Sequence, residues 1–148
     1  MHLTLHSDFS LRLLMLLAVE ADRKHTVEEV ASRYDISRNH LNKVVQTLVQ
    51  ANFIRSVRGR GGGVSLARPP EEINLGAVIR ASEDNFNLVE CFDKKTNTCI
   101  LAPVCGLKGP LEEAMAAFLK VLDGYTLHDL VMQPGAYRKI RRVLAAHK

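Results

Sequence analysis

Apolar residues recur at helical spacing through the first third of the chain and then switch to alternation. Between Ser7 and Ala21, Leu11, Leu14, Met15 and Ala18 share one face, which predicts a helix that Ser7 or Asp8 can cap. Thr26-Val27-Glu28-Glu29 has the form of a capping box, in which Thr26 and Glu29 each satisfy a free backbone N–H. It opens a second helix that turns Val27, Val30 and Ala31 inward and ends near Tyr34. After the turn at Asp35-Ile36, Ser37 caps a third helix from Arg38 to Ala51, with Leu41, Val44, Val45, Leu48 and Val49 as its buried stripe. Phe53 to Arg58 then alternates like a strand, Gly59-Arg60-Gly61-Gly62-Gly63 turns, and Val64 to Ala67 returns.

Beyond Pro69-Pro70 the helical period resumes. Ile73 to Ser82 reads as a short helix with Ile73, Leu75, Val78 and Ile79 apolar. Pro110 suits the first turn of a long helix, Leu111 to Leu122, where its missing N–H costs nothing. Leu111, Ala114, Met115, Ala117, Phe118, Val121 and Leu122 cover more than one face of it, which predicts a dimerisation helix. Core packing within one chain is the competing account. Thr126 caps a last short helix, Leu127 to Met132, and a basic tail follows that is open to a helical reading. The expected fold is mainly α with a small β-hairpin wing. It divides into a winged helix-turn-helix domain at 1–80, a cysteine loop at 81–108, a dimerisation helix with a short C-terminal helix at 109–132, and a basic tail at 133–148.

Two short helices joined by a tight turn read as helix-turn-helix, the second being the recognition helix. Ser37, Arg38, Asn39, His40, Asn42 and Lys43 stand at its N-terminal end. Arginine can donate twice to guanine, asparagine can pair bidentately with adenine, and lysine can neutralise a phosphate. An ordinary polar helix face would carry similar residues, but the hairpin that follows favours DNA. Its tip places Arg58 and Arg60 among glycines, Gly61 between them and the return strand, and so suits phosphates or a narrow minor groove. No G-x-x-x-x-G-K-[ST] is present and the glycines join two strands, which counts against a nucleotide-cradling loop.

Charge sharpens this picture. The formal net charge is only +4, yet residues 36–70 hold no acid and carry Arg38, Lys43, Arg55, Arg58, Arg60 and Arg68. Residues 130–148 are again free of acids and hold Arg138, Lys139, Arg141, Arg142 and Lys148, whereas 81–129 hold eight acids against four lysines. A polyanion-binding part beside a separate acidic part is the expectation. The apolar run Leu13 to Val19 is too short to span a bilayer and is flanked by charge, so a cytoplasmic protein with reduced thiols and no membrane partner is expected.

All three cysteines lie in one stretch, Cys91, Cys99 and Cys105, spaced C-x7-C-x5-C in a loop rich in proline and glycine. Three thiolates there can converge on zinc, copper(I) or an iron–sulfur cluster and leave one coordination position open; three unrelated thiols is the bland alternative. A structural zinc site closes four ligands, often as C-x2-C pairs, which are absent. An iron–sulfur electron carrier or enzyme would have no use for the basic hairpin.

Taken together, several stretches resemble one known family, the bacterial winged-helix regulators that carry an iron–sulfur cluster. They are Leu3-Thr4 with Ser7-Asp8-Phe9-Ser10-Leu11-Arg12; Ile36 to Lys43; Val57 to Val64; the three cysteines; and Tyr125 to Leu130. The resemblance runs from Leu3 to about Val131 and is strongest to the nitric-oxide-sensing repressors of that family. It implies no enzyme activity. It implies a homodimer on a palindromic operator in double-stranded DNA. It also implies a [4Fe–4S] cluster per subunit, held by Cys91, Cys99 and Cys105, with [2Fe–2S] or loss of the cluster as the alternatives after oxygen exposure. Asp8 matches the position from which the partner subunit's first helix supplies a fourth ligand. Nitric oxide reacting with the cluster would then release the DNA. IscR-like members place a histidine just after the third cysteine, where this chain has Gly106-Leu107-Lys108. An iron- or cluster-status sensor of the same family is the second reading.

Overall fold

The structure is a computed structural model and describes residues 2–146. Among these the order is α1 (Leu5–Val19), α2 (Val27–Tyr34), α3 (Arg38–Gln50), β1 (Ile54–Val57), β2 (Gly63–Leu66), α4 (Leu75–Ser82), α5 (Lys108–Asp123), α6 (Leu127–Val131) and α7 (Pro134–Ala146). The class is as expected: helices with one antiparallel two-stranded hairpin.

Helix α1 starts two residues earlier than its pattern predicts. Its cap is Thr4, whose side chain accepts the Ser7 N–H, not Ser7 or Asp8. Ser7 is instead buried, and Asp8 lies in the first turn, where the partial positive charge of the helix end favours a carboxylate. Leu13, Leu14, Leu16, Leu17, Ala18 and Val19 are all buried, so the C-terminal half of α1 is covered on every side. Thr26 does cap α2 by accepting the Glu29 N–H, but the reciprocal half of the expected box is replaced. The Glu29 carboxylate turns to Arg23. Just past the ends of α2 and α3 stand Asp35 and Asn52, both in the left-handed region at φ 51° and 58°. Ile36 N–H then returns to the Ala31 carbonyl and Phe53 N–H to that of Leu48, at 2.9 Å each, which closes both C-termini.

In the hairpin Ile54 faces Leu66, Arg55 faces Ser65, Ser56 faces Val64 and Val57 faces Gly63. His25 adds a one-residue third strand, exchanging both backbone hydrogen bonds with Val64. Only glycine fits at 63, because a Cβ there would come within 2.7 Å of the His25 carbonyl oxygen.

Helix α4 begins at Leu75, later than the predicted Ile73, with Asn74 as cap. It is joined to the end of α5 by a two-pronged ion pair between Arg80 and Asp123 and by the Asn74 side-chain amide donating to the Asp123 carbonyl. Leu127 N–H reaches the Ile73 carbonyl and Leu75 N–H that of Tyr125, so α6 and α4 are tied through the backbone. Helix α5 is longer than predicted, yet Met115 is its one buried side chain among the described residues. Leu111, Phe118, Leu119 and Leu122 are half-buried and Val121 is exposed, so part of its apolar surface stays uncovered within the chain. The basic segment from Pro134 is a helix. Leu144 is buried, and Tyr137 and Ile140 pack on the core. Lys148 of the predicted tail lies outside the described residues.

Gly76 is where α4 meets Asp123. A Cβ there would sit 1.9 Å from Asp123 Oδ1. Gly76→Ala should push the Arg80–Asp123 pair apart and cost about 1–3 kcal/mol as overpacking does. A thermal melt checks this, and an unchanged midpoint would remove the pair from any role in joining α4 to α5.

Candidate nucleic-acid interface and metal centre

The candidate recognition surface is formed by α3 and the hairpin tip. Ser37 Oγ accepts the His40 N–H at 3.2 Å and so sets where α3 starts. Arg38, Asn39, Asn42 and Lys43 then project as exposed side chains. Arg38 lies 3.2 Å from Glu28, but both are about 70% exposed (69% and 71%). An exposed pair of this kind contributes little and yields readily to a phosphate.

His40 departs from the expectation. Its ring meets Phe9 edge-on at 5.0 Å between centroids and stacks near His6 at 6.2 Å, so it packs back on α1 instead of joining the exposed row. His6 in turn places Nε2 3.0 Å from Thr47 Oγ1 of α3. Burial lowers the His6 pKa, His40 and Lys43 lower it further, and Asp84 and Glu83 oppose them.

Arg58 and Arg60 are exposed at the hairpin tip, with Gly59 and Gly61 at φ 91° and 75°. Gly62 N–H closes the turn on the Gly59 carbonyl at 2.8 Å. The tip thus carries two guanidiniums on a backbone thin enough to follow a groove.

Sequence reasoning missed the group that anchors this hairpin. His25 is fully buried where it pairs with Val64, with Glu20 3.8 Å and Glu29 3.7 Å from its ring nitrogens. Arg33, only 3% exposed, holds Glu20 at 2.9 Å, and Arg23 bridges Glu20 and Glu29. Glu29 and Arg33 stand four apart on one helix face, the available signal, but the capping-box pattern accounts for Glu29 without it. Partial burial pushes Glu20 up, and hydrogen bonds from Arg23 and Arg33 outweigh it, leaving the group below its ordinary value. Glu29 is lowered chiefly by its hydrogen bond from Arg23.

The cysteine loop leaves the end of α4. It has one 3-10 turn, Glu90–Phe92, and side-chain turns in which Asp93 accepts the Lys95 N–H and Asn97 the Cys99 N–H. Cys91, Cys99 and Cys105 are free and half-buried. Among the described residues no three Cys, His, Asp or Glu side chains are gathered so as to hold a metal ion. The donor chemistry nonetheless fits an iron–sulfur group, since three unoxidised thiols share one irregular segment. Asp8, the expected fourth donor, pairs with Arg12 at 2.6 Å on the surface of its own chain.

The root of this loop is bonded to α1. Ser7 and Ser82 hydroxyls are 2.8 Å apart and buried, and Glu83 accepts from both the Thr4 N–H and its hydroxyl at 2.8 and 3.0 Å. With His6 on Thr47, the first turn of α1 joins the start of the cysteine loop to the recognition helix.

A helix-turn-helix followed by a basic, glycine-tipped wing defines a winged-helix regulator of transcription that binds DNA. The chain belongs to the Rrf2 family, described as iron-dependent transcriptional regulators, whose model matches residues 3–133. It is 54% identical over 132 residues to the HTH-type transcriptional regulator NsrR of Halalkalibacterium halodurans, covering 88% of this chain and 90% of that one. Against the NsrR of Bacillus subtilis it is 51% identical, with the same coverage of 88% and 90%. Such relatives are regulators and not enzymes. Among solved structures it is similar to CymR of Staphylococcus aureus in its oxidized form, with TM-score 0.65, 29% identity, and 86% and 93% of the two chains covered. The IscR of T. potens shares the fold, with TM-score 0.68, 24% identity, and coverage of 87% and 85%. No helix of the described residues is long and apolar enough to cross a membrane.

The wing tip and the wing root can each be tested. Replacing Arg58 and Arg60 together with Ala should weaken DNA binding across sequences and flatten its salt dependence by roughly 0.9 for each phosphate no longer neutralised. An unchanged slope in a salt titration would remove the wing tip from the interface. Acid should loosen the wing root. The Glu20 and Glu29 carboxylates are lowered in the fold, so their contribution is complete above the ordinary carboxylate range, roughly pH 4 to 4.5. It is lost as pH falls through their lowered values. Urea midpoints of Glu29→Gln and the parent should therefore differ at neutral pH and converge in acid.

Proposed function

We propose that the protein is a homodimeric repressor that holds a [4Fe–4S] cluster on Cys91, Cys99 and Cys105 and leaves its operator when nitric oxide reacts there. Asp8 of the partner subunit completes the ligand set. Its similarity to NsrR proteins at 51–54% identity supports this branch of the family over the others. The supporting observation within the chain is the bonded path from loop to recognition helix through Ser82–Ser7, Glu83–Thr4 and His6–Thr47.

When bound, the cluster supplies iron that nitric oxide can coordinate. The chain's own part is to translate that event. A carboxylate oxygen is a harder ligand than a thiolate, so Asp8 is the ligand most readily given up. Asp8 is one residue from Ser7 and four from Thr4, so its release acts on the turn of α1 that also carries the loop root. Through His6 a small rotation of α1 reaches Thr47 on α3. A shift of an ångström or two misplaces several base-reading side chains at once, each worth roughly 1–3 kcal/mol of discrimination. That is sufficient to move specific binding towards non-specific binding. The uncovered apolar surface of α5 is the dimer interface in this reading. Two recognition helices then meet half-sites about one helical turn apart.

The test is an anisotropy titration of anaerobically prepared protein on its selected duplex with stoichiometric nitric oxide. Loss of affinity is expected, and each of Cys91→Ala, Cys99→Ala and Cys105→Ala should lose its iron and sulfide while staying folded. Asp8→Ala should keep a cluster and respond poorly. If the nitrosylated protein holds its duplex while iron chelation releases it, the iron-sensing reading replaces this one.

A further inference from the structure

The winged helix, the loop and α5 leave α7 without a task. The helix divides cleanly along its length. Tyr137, Ile140 and Leu144, at helical spacing, face the core, and Leu144 is buried there. Arg138, Lys139, Arg141 and Arg142 are all exposed. None of the four forms an ion pair among the described residues; Arg138 donates to the Pro134 carbonyl and Arg141 to the Tyr137 hydroxyl. No acid follows Asp129. An amphipathic helix that packs by one face ordinarily mixes charge signs on the other. Four cations on one outer face, with no carboxylate among them, form a surface suited to a polyanion.

Its place in the fold says which polyanion. The Tyr137 hydroxyl donates to the Val19 carbonyl at the end of α1, which seats α7 against the loop that leads to α2. A cleft of about 530 Å³ between them is lined by Glu20, Asp22, Arg23, Tyr137 and Arg141. Glu20 is occupied by Arg23 and Arg33, so it does not neutralise the helix. That same loop carries His25, the residue paired with Val64 in the wing. The basic helix and the wing are therefore mounted on the two ends of one short segment.

We propose that α7 is a second backbone-contacting element, whose Arg138, Lys139, Arg141 and Arg142 meet the phosphates of duplex DNA just outside the stretch covered by α3 and the wing. This rests on the DNA-binding reading above. Contacts of this type hold register without reading sequence. Each phosphate neutralised should add roughly 0.9 to the salt slope.

The test uses the full-length protein prepared without oxygen and a duplex it selects from a random pool. That duplex is made at minimal length and again with about one further helical turn, roughly ten base pairs, on each side. The variant carries Arg138→Gln, Lys139→Gln, Arg141→Gln and Arg142→Gln, which spares the inward residues. Circular dichroism confirms that it is folded. The parent should bind the longer duplex several-fold more tightly and with a steeper salt dependence than the minimal one. The variant should bind both alike, with the parent's affinity for the minimal duplex. Equal gains from the flanks in parent and variant would overturn the proposal while leaving the wing reading intact. Equal losses on both duplexes would also overturn it, by placing the effect inside the site. Loss of binding to phosphatidylglycerol vesicles, with the flank effect unchanged, would reassign the helix to a lipid surface. A parent that binds neither duplex would overturn this proposal and the DNA-binding reading together.

Discussion

Burial of α1 is the constraint on which the other elements depend. Leu13, Leu14, Leu16, Leu17, Ala18 and Val19 leave no solvent-facing side on its C-terminal half. Each large side chain among them contributes roughly 1.5–3 kcal/mol by leaving water. The helix cannot rotate to expose another face, because no polar face exists there. Helix α3, β2, α4, α6 and α7 all pack against it. The polar first turn is different. It spends its side chains on bonds to neighbours: Thr4 and Ser7 to the end of α4, and His6 to α3. One helix thus has an apolar half that fixes the fold and a hydrogen-bonded half that links the end of α4 to α3.

Polar interactions are divided between two jobs. In the network of Glu20, Arg23, His25, Glu29 and Arg33, it is His25, Arg33 and Glu20 that are largely withdrawn from water, and the network sets the wing against α2. Partners in such a site must be satisfied together, since removing one leaves a charge uncompensated. The cations of α3, the wing tip and α7 lie outside this network, and among the described residues Arg38 is the one of them paired with an exposed carboxylate.

Much of this is legible in the sequence because the signals are local. Helix periods, the Ser37 and Thr126 caps and the glycine-tipped hairpin each occupy a few adjacent residues, and each forms where expected. What escapes are features set by distant partners. Ser7 has the residue type and position of a cap, but a buried bond to Ser82 claims it, 75 residues away. Glu29 fits a capping box, but Arg23 takes its carboxylate. His40 belongs by position to the exposed row of α3, yet Phe9 and His6 supply a packed surface that draws it back. The buried histidine at 25 has no sequence signal, because its role comes from a backbone pairing with Val64. The cysteines are identifiable as a set, but a short-range pattern does not say how a loop of few regular hydrogen bonds brings them together.

The one-residue strand at His25 has a consequence for how the wing can vary. Pairing on both edges of β2 locks the stem in register, so neither strand can slide past the other. A slip of one residue would turn Val64 outward and Ser65 into the core. Any change in how the tip reaches outward must therefore come from bending beyond Val57, in the glycine-containing tip. Insertions or deletions confined to residues 58–62 would change reach without disturbing the core, whereas a single-residue indel in the stem would unseat the wing entirely.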